Sequence, residues 1–140
     1  MAVHQFLSAI GRKSSVVNLD PANDQTSYPC ALDVRDLVTL DEVMVDGNLG
    51  PNGGVLYALE ELEGNMEWLE RGLARLGGEC HASYLGGMWA NRRTEDYVLF
   101  DCPGQVELFT HHSSLRSIFL KIQKLGYRVR SHHAVPNLTC

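Results

Sequence analysis

The sequence predicts an α/β domain with buried parallel strands. Two short apolar segments, residues 15–20 and 97–101, each end in an aspartate with a proline within two residues. Apolar, β-branched and aromatic residues bounded by turn formers are typical of buried strands. The chain has 140 residues, 44% of them apolar, which is enough for one domain with a hydrophobic core.

The segment around which the rest is organised is Tyr97-Val-Leu-Phe-Asp101, followed by Cys-Pro-Gly-Gln105. Nucleotide hydrolases use an aspartate at such a strand tip to hold Mg²⁺, usually through water. Gly104 lets the backbone approach a phosphate, and Gln105 carries an amide able to orient an attacking water. On its own, the motif is equally compatible with an ordinary buried strand and turn.

The first of the two segments, Ser15-Val-Val-Asn-Leu-Asp20, supplies a second carboxylate. Two strand-tip acids suit a magnesium–nucleotide site because one carboxylate rarely fixes the ion. The alternative is a strand followed by a common Asp-Pro turn.

Before this strand, residues 1–15 lack acids and are compatible with a transit peptide, but we favour a helix that is stopped by Gly11. After it, residues 24–40 predict a polar loop and a short helix at 34–37.

The middle of the chain combines a tight turn with a long helix. Gly50-Pro-Asn-Gly is turn chemistry, and it places the Asn52 amide at a helix N-terminus, which favours phosphate oxygens. The predicted helix, 55–76, has apolar residues spaced alternately by four and three. This seam consists of Val55, Leu59, Leu62, Met66, Leu69, Leu73 and Leu76. Packing on the chain's own sheet is one interpretation, but the strict spacing favours pairing with a partner helix.

The remaining segments are less regular. Residues 77–96 show no periodicity and predict a mobile loop or an insertion. Residues 106–125 predict a helix that stops at Gly126, and 127–129 begin a further strand. The apolar face of that helix consists of Leu108, Leu115, Ile118, Phe119, Ile122 and Leu125.

Charge and cysteine content exclude several classes of protein. The formal net charge is −5 without a long Lys/Arg cluster, which argues against direct nucleic-acid binding, and no apolar run suits a membrane span. The four cysteines are scattered, as expected of reduced thiols. Neighbouring histidines on a helix, as in His111–His112 and His132–His133, point in different directions, so each pair offers at most one ligand to a metal site. A zinc site built on Cys80, His81 and His111 is therefore disfavoured.

Three motifs in order now identify a resemblance. Asn18-Leu-Asp-Pro-Ala22, Gly50-Pro-Asn52 and Asp101-Cys-Pro-Gly-Gln-Val-Glu-Leu108 together resemble the GPN-loop GTPases. The match to one eukaryotic paralogue is closest, through 49–54 and 110–119. The resemblance covers residues 5–76 and 97–129 and implies a P-loop NTPase-like, doubly wound, mostly parallel α/β sheet.

The resemblance also implies roles. Asp20 and Asp101 would hold Mg²⁺ through water beside GTP or GDP, Gly104 would sense the γ-phosphate, and Gln105 would position the attacking water. Gly50, Pro51 and Asn52 would reach the nucleotide of a second subunit. The family forms homodimers or paralogue heterodimers, which would place helix 55–76 near an interface. It acts in RNA polymerase II biogenesis and nuclear import, which implies polymerase subunits or assembly factors as partners and a cytoplasmic location with nuclear shuttling.

Departures from the family pattern imply an incomplete domain over residues 1–130. The first strand with its Gly-x-x-Gly-x-Gly-Lys-Thr phosphate loop and the guanine-reading segment are missing, 77–96 is longer than in relatives, and 131–140 does not match. This is typical of a shortened transcript product or an incomplete gene model. We therefore expect the chain alone to bind GTP weakly and to hydrolyse it hardly at all. The alternative is a non-enzymatic fragment that pairs with a paralogue through helix 55–76.

Overall fold

The computed structural model describes residues 2–24, 26, 28–76, 97–105 and 112–130. Its three strands are β1 (Ser14–Asn18), β2 (Cys30–Asp33) and β3 (Tyr97–Asp101). They form one sheet in the order β2-β1-β3, with β1 parallel to both neighbours. The predicted α/β class with parallel strands at both acid-tipped segments is therefore confirmed.

Strand β2 lies where a polar loop was predicted, so that prediction was wrong. Only Leu32 of its four residues is buried, and so short a segment shows no usable periodicity. The predicted short helix follows it as a single 3₁₀ turn, Val34–Asp36.

Five α-helices surround the sheet in the described part of the chain. They are α1 (Ala2–Ala9), α2 (Leu40–Gly47), α3 (Pro51–Gly64), α4 (Met66–Leu76) and α5 (Ser114–Lys124). The favoured helix at the start of the chain is confirmed, and Gly11 follows it with a φ of 72° that suits glycine. Helix α2 was not predicted; its N-terminus is capped by Thr39, whose hydroxyl accepts a hydrogen bond from the Glu42 amide.

The apolar seam packs inside the chain, so the preferred prediction of partner pairing through it was wrong. Its first six members are buried with relative exposures of 7% or less, and Leu76 is partly buried. They join the same core as Val17 of β1, Leu32 of β2 and Ile118 of α5. Packing on the chain's own sheet therefore explains the four-three spacing.

The single helix predicted over 55–76 is divided in the structure into two helices, α3 and α4. It starts earlier, at Pro51, and is interrupted at Asn65, whose side-chain amide donates to the Glu61 carbonyl at 2.8 Å. Asparagine side chains compete in this way with helical backbone hydrogen bonds. Both α3 and α4 contribute buried residues to one core across this interruption.

Helix α5 confirms the predicted helix from Ser114 to Lys124, whereas residues 112 and 113, which were also predicted to be helical, precede it. Leu115, Ile118, Phe119 and Ile122 are buried, and Gly126 follows the helix with a φ of 88°. The Phe119 ring meets that of Phe100 on β3 edge to face, with centroids 5.5 Å apart. Residues 127–130 are irregular, so the strand predicted there is wrong.

Several predictions lie outside the described residues: the insertion at 77–96, the helical residues 106–111 and the tail at 131–140. Among the helices that the structure does describe, none combines the length and apolar character needed to cross a membrane.

Replacing Leu69 tests whether the seam belongs to this core. We expect Leu69→Ala to lower the free energy of unfolding by about 3 kcal/mol because the site is fully buried. Leu120→Ala on the exposed face of α5 is the matched control and should cost less than about 1 kcal/mol. Denaturant unfolding at two protein concentrations measures both. A Leu69→Ala loss that grows with protein concentration would instead support packing against a partner.

Candidate functional site

The carboxyl ends of the three strands bring a cluster of polar side chains to one edge of the sheet. In the strand register, Asn18 at the end of β1 lies opposite Asp33 on one side and Asp101 on the other. The pairing continues one residue further, since the Leu19 amide donates to the Asp101 carbonyl at 2.7 Å. This is the edge at which open α/β sheets bind ligands.

Asp20 is held at this edge by the fully buried side chain of Asn18. The Asn18 amide donates to the Asp20 carbonyl at 3.1 Å, and its Oδ1 accepts from the Asp20 amide at 3.2 Å. The Asp20 carboxylate in turn accepts from the Ala22 amide at 2.9 Å. Burial raises the pKa of Asp20 above 3.8, and the charge of Asp101 adds to the increase despite the Ala22 hydrogen bond.

Asp101 receives two donors from the segment between β1 and β2. The Tyr28 hydroxyl donates to Oδ2, and the Asn23 amide donates to the same oxygen at 3.3 Å. Asn23 also contacts the Tyr28 hydroxyl at 3.3 Å. Burial, and next the hydrogen bond to Asp101, raise the pKa of Tyr28, so the phenol remains a proton donor at neutral pH.

Asp33 completes the edge as part of an ion pair. Arg35 donates to it through Nε at 2.9 Å and through a terminal nitrogen at 2.6 Å, and Asn18 adds a donor at 3.1 Å. Burial alone would raise the pKa of Asp33, but the Arg35 hydrogen bonds outweigh it and lower the pKa. This carboxylate is engaged in a bidentate pair, unlike that of Asp20.

The predicted residues after β3 also lie at this edge. Pro103 is buried and Gly104 is exposed. Apart from the neighbours of Gly104 in the chain, no described residue has a heavy atom within 4 Å of the place where its Cβ would be, so the described surroundings leave the backbone open to an approaching group. Cys102 lies between Asp101 and Pro103. Burial, and then the charges of Asp101 and Asp20, raise the pKa of its thiol to about 12. That thiol is therefore protonated and a poor nucleophile at neutral pH.

The Gly-Pro-Asn turn opens α3 as expected. Gly50 is the N-cap residue, Pro51 is the first helical residue, and all three residues of the turn are exposed. The Asn52 Oδ1 accepts a hydrogen bond from Gln105 Nε2 of the same chain at 3.0 Å. The structure thus places two predicted catalytic residues side by side, 53 positions apart in sequence.

The donor set fits a hard divalent cation held largely by water and substrate. Asp20 and Asp101 are both oxygen donors, and each raises the electrostatic cost of the other's charge, which a cation would relieve. Within the part of the chain that the structure describes, no group of three or more His, Cys, Asp or Glu is arranged to bind a metal. Two carboxylates with remaining sites left to water and phosphate are what Mg²⁺ commonly uses.

Sequence reasoning missed the residues that hold this edge together: Asn18, Asn23, Tyr28, Asp33 and Arg35. One signal was available, since an asparagine between apolar residues of a buried strand must satisfy its amide. Asp33 and Arg35 could not be placed without β2, and no local pattern connects Tyr28 with Asp101, which lies 73 positions away.

Comparison with known proteins identifies similar sequences over nearly the whole chain. A family model described as "Conserved hypothetical ATP binding protein" matches residues 1–134. GPN-loop GTPase 2 of Danio rerio is 46% identical over 99% of this chain, and GPN-loop GTPase 2 of Saccharomyces cerevisiae is 50% identical over 86%. GPN-loop GTPase 2 of Schizosaccharomyces pombe is 43% identical over 99% of the chain. The chain spans 39%, 30% and 39% of these relatives' lengths, respectively.

The raised pKa of Asp20 predicts a substitution that stabilises the fold. Because the folded state resists ionisation of this group, the carboxylate destabilises the fold at neutral pH, and Asp20→Asn should raise the free energy of unfolding. The gain should be complete above the raised folded pKa, shrink as the pH falls through it, and vanish below the ordinary value of 3.8. Denaturant unfolding between pH 3 and pH 7 measures this, with exposed Asp46→Asn as the control. Loss of stability in Asp20→Asn at pH 7 would contradict it.

Proposed function

Because the chain belongs to the family of GPN-loop GTPases, we propose that it carries part of a GTP-binding and GTP-hydrolysing site. The observation that carries the proposal is the convergence of Asp20 and Asp101 at the carboxyl edge of one parallel sheet. Gly104 and Gln105 lie just after β3, and Gln105 donates a hydrogen bond to Asn52 in the first turn of α3.

Each residue then has a chemical task. The carboxylates of Asp20 and Asp101 would hold Mg²⁺ through its water shell, and the ion would supply charge neutralisation for the phosphates of GTP. The exposed backbone at Gly104 approaches the γ-phosphate. Gln105 orients the attacking water, and its hydrogen bond to Asn52 restricts the rotation of its amide.

The exposed Gly50-Pro51-Asn52 turn supports presentation to a second subunit, which requires Asn52 to release its hydrogen bond to Gln105 of its own chain. We include a homodimer or a heterodimer with a paralogue in the proposal, with the contact made by this turn and not by the buried seam of α3 and α4. Polymerase II subunits or assembly factors, met in the cytoplasm and on the way to the nucleus, are the proposed macromolecular partners, without direct contact to nucleic acid. The proposal for this chain alone is weak nucleotide binding, since the phosphate loop supplies most phosphate contacts in this class of site.

Nucleotide binding tests the proposal directly. A fluorescent GTP analogue should bind weakly to the chain and more tightly to the chain extended N-terminally with a phosphate loop, with a dependence on Mg²⁺. In the extended chain, Asp101→Asn should lower the affinity at least about tenfold, the range for losing even an outer-shell metal partner. Fluorescence anisotropy with and without EDTA measures the affinity.

Asp46→Asn, which removes an exposed acid on α2, is the matched control and should bind as the unsubstituted extended chain does. If the Asp101→Asn variant binds the GTP analogue as tightly as the unsubstituted extended chain does, with the same dependence on Mg²⁺, this edge is ruled out as the metal site. Micromolar binding by the unextended chain would contradict the expected contribution of the phosphate loop.

A further inference from the structure

The carboxylate of Asp101 is held by a pair of side chains from outside its own strand. Asn23 and Tyr28 lie between Asp20 at the tip of β1 and the start of β2, and both donate to the same Asp101 oxygen, Oδ2. They also contact each other at 3.3 Å. Three side chains from two distant parts of the chain therefore form one hydrogen-bonded triangle beside Asp20.

Two donors that converge on one oxygen restrict how the carboxylate can turn. An aspartate at a strand tip otherwise rotates about two side-chain bonds, and a ligand is effective only when it is held in one orientation. A hydroxyl that donates to a carboxylate makes a charge-assisted hydrogen bond, which is about twice as strong as a neutral one. With Oδ2 occupied by these donors, Oδ1 is the oxygen left for a water of the metal.

We propose that Tyr28, assisted by Asn23, is a positioning residue that orients Asp101 for cation binding. The inference rests on the proposed function, because it assumes that Asp101 serves a cation. It goes further by assigning a role to the segment between β1 and β2. That segment carries Asp20 at its beginning and the Asp101 donors further along, so it couples both carboxylates of the site.

The competing explanation is that Tyr28 only fastens this segment to the sheet. In that case its hydroxyl affects stability but not affinity for a cation. Tyr127 offers a matched control, since its hydroxyl donates to the carbonyl of Leu73 on α4 at 3.3 Å, whereas the Tyr28 hydroxyl donates to Asp101. Tyr28→Phe and Tyr127→Phe each remove one phenolic hydroxyl and keep the ring.

The test measures binding of Mn²⁺, used as a paramagnetic probe for Mg²⁺, by the loss of the free-ion signal in electron paramagnetic resonance. We expect Tyr28→Phe to weaken Mn²⁺ binding by about tenfold, the lower end of the range for losing an outer-shell partner that orients a metal ligand. Asn23→Ala should shift it in the same direction by less. Tyr127→Phe should leave it unchanged, with circular dichroism confirming that every variant is folded.

The outcomes separate the inference from the proposed function. If Asp101→Asn binds Mn²⁺ as the unsubstituted chain does, the proposed metal site fails. If Asp101→Asn loses affinity while Tyr28→Phe retains it, the positioning role is overturned and the metal site stands.

A measurement without metal decides the contact itself. In protein labelled with ¹³C at tyrosine Cζ, Asp101→Asn should shift the Tyr28 resonance, whereas Asp46→Asn should not, because Cζ responds to the acceptor of the hydroxyl. An unmoved Tyr28 resonance in Asp101→Asn would overturn the inference whatever the metal result. The other described tyrosines report whether the fold is retained.

Discussion

The parallel pairing of β1 with β3 is the constraint on which the site depends. It sets Asn18 opposite Asp101 and extends to the Leu19 amide, so the chain leaving β1 must turn beside the Asp101 carboxylate. A slip of one residue would send every β1 side chain to the opposite face, so Val17 would leave the core that it shares with Leu32 and Ile118 and the buried Asn18 would lose its present partners. Packing of the core thus fixes the strand register, and the register fixes the distance between the two acidic strand tips.

Placing two acids together has an electrostatic cost, and the surrounding residues limit it without cancelling it. Asp33 is satisfied by Arg35, whereas the described side chains that donate hydrogen bonds around Asp20 and Asp101 are the neutral Asn18, Asn23 and Tyr28. The charge of Asp24 adds to the negative potential at Asp20. Neutral donors satisfy lone pairs but leave the negative charge in place. An edge built in this way attracts a cation, whereas an arginine at the same position would compete with it.

Sequence alone predicted the parts of this arrangement that have a local signature. The strands ending near Asp20 and Asp101 and the helix after the Gly-Pro-Asn turn each combine an apolar pattern with turn residues. The structure has all three, although that helix begins at Pro51 instead of 55 and ends at Gly64. The prediction that the seam pairs with a partner helix was wrong because a four-three spacing also suits packing on a sheet, and only tertiary contacts distinguish the two. Strand β2 and the Tyr28–Asp101 contact were beyond prediction, because one is too short for periodicity and the other joins distant residues.

The central claim is that Asp20 and Asp101 share one cation between the tips of β1 and the neighbouring β3. The most direct measurement is an anomalous difference map from crystals of the chain, extended with a phosphate loop and grown with Mn²⁺ and a non-hydrolysable GTP analogue. We expect one peak between the two carboxylates, at a separation bridged by water, with the γ-phosphate facing Gly104. A bound nucleotide whose manganese lies away from both carboxylates would contradict it.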